Sequence, residues 1–165
     1  MNFDPFFRAL ESSELSVWIR ESLSLLALPG ILTLHTLAMG FLAGTSLVIA
    51  LRLLGVAPTI PIRALARFFP ILWLAFWVNL ATGVLLVIGY PTKAMTNRLF
   101  YVKLLIIAAA LLLVPRLRTA VLVADDESAS RKTRLLAITS IALWMAAIVF
   151  GRLLPYTYHR LLADE

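Results

Sequence analysis

The chain has 165 residues, of which 61% are hydrophobic and only 15% charged, with a mean hydropathy of +0.92. Soluble domains carry about a quarter charged residues, so this composition excludes an ordinary water-soluble domain and calls for a bilayer. The net charge of +6 sits in basic residues between apolar runs, where topology determinants and lipid-headgroup contacts belong, and this argues against nucleic acid as a partner.

The first 22 residues, "MNFDPFFRALESSELSVWIRES", hold four acidic residues and no basic start, so no cleavable signal peptide is expected. They read as an interfacial segment. Asp4-Pro5 marks a helix start and Ser13 a second cap, with Phe6, Phe7, Leu10, Leu15, Trp18 and Ile19 directed at the headgroup region. Pro29-Gly30 marks the bend into the first span.

Residues 23–165 then read as an all-α integral membrane four-helix bundle. A hydrocarbon core of about 30 Å needs about 20 apolar residues in a helix. Four stretches meet that length, at 28–51, 68–90, 99–117 and 135–156. The connections are compact, and no internal repeat interrupts them. Four spans put both termini on one side. Arg52, Arg63, Arg67, Arg116, Arg118, Arg131, Lys132 and Arg134 mark the other, so the expected location is the inner (plasma) membrane with periplasmic termini.

Helical periodicity gathers polar residues on one face of each span. On the first, His35, Met39 and Ser46 fall within about 40° of one another. Asn79, Thr82, Gly83 and Tyr90 share a face of the second, Lys103 lies near the start of the third, and Met145, Arg152 and Tyr156 align on the fourth. Because polar groups in lipid are costly, all four faces are expected to point inward. At a rise of about 1.5 Å per residue, His35 lies about 10 Å, Lys103 about 6 Å and Arg152 about 3–8 Å below the terminal-side surface. Three ionisable groups thus converge on one half of the membrane.

Each has a duller explanation. Lys103 and Arg152 are close enough to span ends to snorkel, and His35 can serve as interhelix glue through Asn79. Met39 and Met145 suit core filling, and Tyr90, Trp18, Tyr156 and Tyr158 suit an aromatic belt. His159 falls in solvent or headgroups. Gly40 and Gly44 form a GxxxG nearly opposite His35, and Trp73 and Trp77 point away from Asn79. Helices with two occupied faces predict membrane-protein partner subunits as well as lipid.

No aspartate or glutamate occurs between Glu21 and Asp125, which excludes proton-coupled transport through buried carboxylates and carboxylate-bridged metal sites. The absence of cysteine excludes disulfides, thiolate ligands and cysteine nucleophiles. A Ser–His–Asp triad would need the acids of "ADDES" (124–128), which lie on the side opposite His35, and no GxGxxG, P-loop or HExxH occurs. Catalysis is not expected. Two chemistries stay open. His35 can be an axial ligand of haem b, with Lys103 and Arg152 pairing with propionates or with a quinone head group alongside Asn79 and Tyr156. Alternatively His35, Met39 and Met145 form a soft metal set for Cu(I).

"LHTLAMG" around His35, "LRLLG" at 51–55, "FYVK" at 100–103 and "SIALWMAAIVFGRLLPY" at 140–156 together resemble an uncharacterised family of bacterial four-helix inner-membrane proteins. A looser likeness extends to copper-resistance D and cytochrome b561-type bundles. The resemblance covers most of the chain from the first span onward. It implies that His35, Arg52, Lys103, Trp144, Gly151 and Arg152 are the family's characteristic positions, and it brings no established activity. The paired in-membrane histidines of b561-type cytochromes are missing here. The leading expectation is a non-catalytic accessory subunit of a larger bioenergetic membrane complex, seating a quinone or lipid head group. A b-type haem carrier ligated by His35 and a copper or small-molecule permease are the alternatives.

Overall fold

The computed structural model describes residues 4–123 and 130–163; the "ADDES" acids lie outside the described residues. Among these residues all regular structure is helical: α1 (Asp4–Glu11), α2 (Glu14–Glu21), α3 (Leu28–Leu53), α4 (Phe68–Gly89), α5 (Pro91–Met95), α6 (Arg98–Val123) and α7 (Arg131–Leu153). Short 3-10 segments, Ile62–Arg67 and Leu154–Tyr156, precede α4 and follow α7. Helices α3, α4, α6 and α7, with the 3-10 segments that extend α4 and α7, are the four long and apolar enough to cross a membrane. The protein is a multi-pass helical membrane protein.

The spans pack in the order α4–α3–α7–α6, and the chain of contacts closes only at one end, where α6 meets the 3-10 turn before α4. Along the rest of their length α4 and α6 make no extensive contact. We call the end bearing the termini the terminal side and the other the loop side. The apolar core fills the loop-side half and the middle, from Leu42, Ile49 and Leu53 through Leu65, Phe69 and Leu72 to Val114, Leu117 and Val121. Leucines such as Leu74, Leu105 and Leu112 remain exposed on the outer surface, as a lipid-facing helix requires.

Two span limits differ most from the sequence reading: the fourth span starts at Arg131, four residues before the expected 135, and the third runs to Val123, six residues past the expected 117, with Pro115 inside α6. A proline removes one N–H, and a helix packed on its neighbours can tolerate that loss in a membrane. The connection after α4 also forms the extra helix α5, with Pro91 in its first turn.

The N-terminal segment is two helices that dock on the bundle. Ser13 caps α2, accepting from Ser16 N at 3.3 Å. Ser16 Oγ donates to Ile88 O (2.9 Å), and Arg20 Nη1 donates to Gly89 O (3.2 Å), so α2 satisfies carbonyls that the C-terminus of α4 leaves open. Ile19, expected among headgroups, is fully buried instead; a Cβ at Gly89 would come within 2.8 Å of its Cγ2. Phe6, Leu15 and Trp18 do stay exposed. Glu11 is buried, accepting from Thr92 Oγ1 (2.7 Å) and Ala163 N (3.1 Å), and Arg160 pairs with Asp4 at 3.0 Å. The two ends of the described chain and α5 therefore form one cap over the terminal side.

Candidate functional site

His35 projects from α3 toward α4 at a level where the apolar core gives way to polar side chains. Its Nδ1 lies 3.1 Å from Asn79 O and 3.0 Å from Thr82 Oγ1. A main-chain carbonyl can only accept, so Nδ1 carries the proton and donates to it. The Thr82 hydroxyl donates within its own helix, to Val78 O at 2.7 Å, which leaves its oxygen free to accept from Nδ1 as well. Asn79 Nδ2 returns a bond across the interface, donating to His35 O at 2.9 Å. Each side chain thus grips the other residue's backbone. The interhelix glue expected through Asn79 is present, and Thr82 joins it.

This clamp uses one edge of the imidazole. With Nδ1 protonated, Nε2 is the lone-pair nitrogen, and it has no hydrogen-bond partner among the described residues. Gly83 makes room for the ring: a Cβ there would stand 3.2 Å from Cε1.

Lys103 of α6 completes the arrangement. Its ammonium lies within electrostatic range of His35, and its stem passes over Gly151 of α7, where a Cβ would come 3.5 Å from Cε and 3.6 Å from Nζ. Lys103 makes no hydrogen bond or ion pair among the described residues. The structure therefore places a lone-pair acceptor on α3 and a cationic donor on α6, each seated over a glycine of the adjoining helix, in the terminal-side half of the bundle. In sequence Gly83 is legible only as part of the polar face of the second span, and Gly151 only as a position the resemblance implies.

The remaining candidates are placed elsewhere. Met39 is partly buried against the apolar core. On α7 the buried face is Ala137, Ser140, Trp144 and Ala147, continued by Gly151. Met145, Arg152 and Tyr156 share a face as their spacing requires, but that face is the outer one, with Met145 53% and Tyr156 79% exposed. The expected inward stripe on the fourth span is thus an outward one, because small residues and one tryptophan fit the crowded interior of α7 better than long side chains. Arg152 at this depth reaches the headgroups by snorkelling. Met145 therefore faces away from the bundle interior that His35 enters. Tyr90 and Tyr158 hold the Lys93 ammonium at 5.6 and 4.4 Å from their ring centroids, within the cap.

Gly40 is exposed, and a Cβ on Gly40 or Gly44 would meet nothing within 4 Å, so the GxxxG serves no contact among the described residues. Trp77 is 60% exposed on the outside of α4, and Trp73 lines a groove toward α6.

Several residues were not singled out by sequence as they stand here. Arg52, expected to mark topology from a connection, is buried in the last turn of α3, and donates from Nε to Ile60 O (2.6 Å) and from Nη2 to Pro58 O (3.1 Å). It staples the turn in which Gly55 takes a φ of 99°. Ser46 Oγ, Ser140 Oγ and Trp144 Nε1 are buried with no partner in the described structure.

A family model described as a family of unknown function (DUF6644) matches residues 6–157. The chain belongs to that family. The match covers most of α1, all of α2 and all four membrane helices, and leaves out Asp4, Arg160 and Ala163 of the cap. No curated protein and no solved structure matches the chain.

Proposed function

We propose that this DUF6644 protein is a non-catalytic membrane subunit that seats a quinone head group between α4 and α6, near the terminal-side surface. The observation that carries the reading is that His35 Nε2 and Lys103 Nζ, close enough to influence one another electrostatically, have no hydrogen-bond partner among the described residues. A cation without a counter-ion in the membrane is costly, and a ring oxygen accepting from it relieves that cost. Nε2 complements it by accepting from the O–H of the reduced, quinol form. Asn79 and Thr82 hold the imidazole in the orientation this needs. The long isoprenoid tail belongs in the bilayer that α4 and α6 leave open between them.

The subunit role rests on the free faces. Gly40, Gly44 and Trp77 form surfaces with no use in the monomer, and they suit a neighbouring membrane helix. An inner-membrane location with periplasmic termini follows from the basic residues of the loop side.

The test is equilibrium binding of a short-chain quinone and its quinol to detergent-solubilised protein. Lys103→Met should weaken binding of both forms by about tenfold or more, the loss of one buried charge-assisted hydrogen bond, and His35→Leu should weaken binding of the quinol alone, by about five- to tenfold. Equal affinity in wild type and both variants would overturn the reading.

A second reading has its own observation. An imidazole anchored through Nδ1–H to a carbonyl, with Nε2 free, is oriented like an axial metal ligand. It supports one b-type haem on His35. Haem bands in a reduced-minus-oxidised spectrum that vanish in His35→Leu would establish it, and a flat spectrum would retire it.

A further inference from the structure

At the opposite end of the bundle a groove of about 310 Å³ runs between α4 and α6, lined by Trp73, Val114, Pro115, Arg118, Thr119 and Leu122. Trp73 lies five residues into α4, and Arg118 lies five residues before the described end of α6. At 1.5 Å per residue both are about 8 Å from their helix ends, the depth at which headgroups meet acyl chains. The walls are apolar, with an aromatic ring at the interface and a guanidinium at the rim. Pro115 contributes a short, flat ring to the floor.

The charged groups around this groove, among the described residues, are cations. Arg118 is exposed and makes no hydrogen bond or ion pair among the described residues. Its neighbours are committed otherwise: Arg116 Nη1 donates to Leu112 O at 3.0 Å, Thr119 Oγ1 donates to Pro115 O at 3.1 Å, and Arg67 lies over the Phe68 ring. The 3-10 turn carrying Arg63 and Arg67 packs against α6 beside the groove. In sequence the loop side holds eight basic residues (Arg52, Arg63, Arg67, Arg116, Arg118, Arg131, Lys132 and Arg134) against Asp125, Asp126 and Glu127.

We infer that this groove is a binding site for one anionic phospholipid, its phosphate held by Arg118 and its glycerol and upper acyl chain lying on Trp73, Val114 and Pro115. Charge complementarity selects the occupant: an apolar trough opening to hydrocarbon accepts any acyl chain, and the uncommitted guanidinium at its rim selects a lipid bearing net negative charge. The site is separate from the His35–Lys103 couple and stands without it.

Native mass spectrometry of the full chain, released from detergent with either dioleoyl phosphatidylglycerol or dioleoyl phosphatidylcholine, tests this. Wild type should retain one phosphatidylglycerol under activation that strips phosphatidylcholine. R118Q, at an exposed position with no internal bond to lose, should cut that preference by about five-fold, the effect of one basic residue at the surface. K132Q, on the same side but outside the groove, should leave it unchanged. Equal retention of the two lipids by wild type would overturn the inference. So would an equal loss in R118Q and K132Q, which would mean diffuse attraction to the loop side without a built site.

Discussion

The clamp between α3 and α4 makes a sharp energetic prediction. His35 and Asn79 touch, yet each side chain bonds the other residue's main chain, at 3.1 Å and 2.9 Å; their side chains approach only at 3.4 Å. His35→Leu removes the bonds to Asn79 O, a helical carbonyl that keeps its intrahelical donor, and to Thr82 Oγ1, which still donates to Val78 O. Asn79→Leu removes the bond to His35 O, a helical carbonyl that keeps its intrahelical donor. Neither change orphans a buried group, so each should cost about 0.6–1.7 kcal/mol, the range for interhelical hydrogen bonds in lipid. Contacting residues ordinarily couple, but here the double variant should lose the sum of the two, with a coupling energy below about 0.5 kcal/mol. Equilibrium unfolding in mixed micelles, followed by far-UV circular dichroism across the four proteins of the cycle, measures it. A coupling of about 1 kcal/mol or more would mean a side-chain-to-side-chain bond and would refute the reciprocal geometry.

Further expectations follow from close contacts. Gly83→Ala sets a 3.2 Å approach to His35 Cε1 against a gain in helix propensity of about 1 kcal/mol, so its stability should stay within about 1 kcal/mol of wild type. Gly83→Leu should overpack the site by about 1–3 kcal/mol, and a Leu variant as stable as wild type would contradict the seat assigned to the imidazole. Gly89→Ala places a methyl 2.8 Å from the buried Ile19 and should loosen α2 from α4, read as faster proteolysis within residues 12–22; unchanged cleavage would contradict the docking. Ser46→Ala and Ser140→Ala each remove a buried hydroxyl without a partner, and should be neutral or stabilising by about 1 kcal/mol. A clear loss of stability would show that these hydroxyls are satisfied by a bound molecule.

Much of the architecture is legible in the sequence because hydropathy alone decides it: four apolar runs longer than a bilayer is thick have few alternatives. The ends of runs are less so. The third span reads through Pro115 only to residue 117, where the apolar run breaks at Arg116 and Arg118, yet α6 continues to Val123. The N-terminal helices read as amphipathic, but no sequence signal says that Ser16 and Arg20 satisfy carbonyls some seventy residues away. Periodicity groups residues correctly without saying which way a group faces. His35, Met39 and Ser46 turn inward as expected, whereas Met145, Arg152 and Tyr156 turn outward, because a stripe of alanine, serine and glycine with Trp144 fills the inner side of α7. The partnership of His35 with Asn79 is readable from depth and residue type. The roles of Gly83 and Gly151 as seats for His35 and Lys103 need coordinates.

The central claim is that His35 and Lys103 together hold a quinone in its reduced, quinol form. Its most direct test is the quinol-to-protein ratio after mild solubilisation from native membranes under reducing conditions, by extraction and chromatography, in wild type, His35→Leu and Lys103→Met. The account predicts a ratio near one in wild type and its loss in both variants while the helical content is unchanged. A wild-type protein that retains no quinol, or variants that retain as much as wild type, would contradict it.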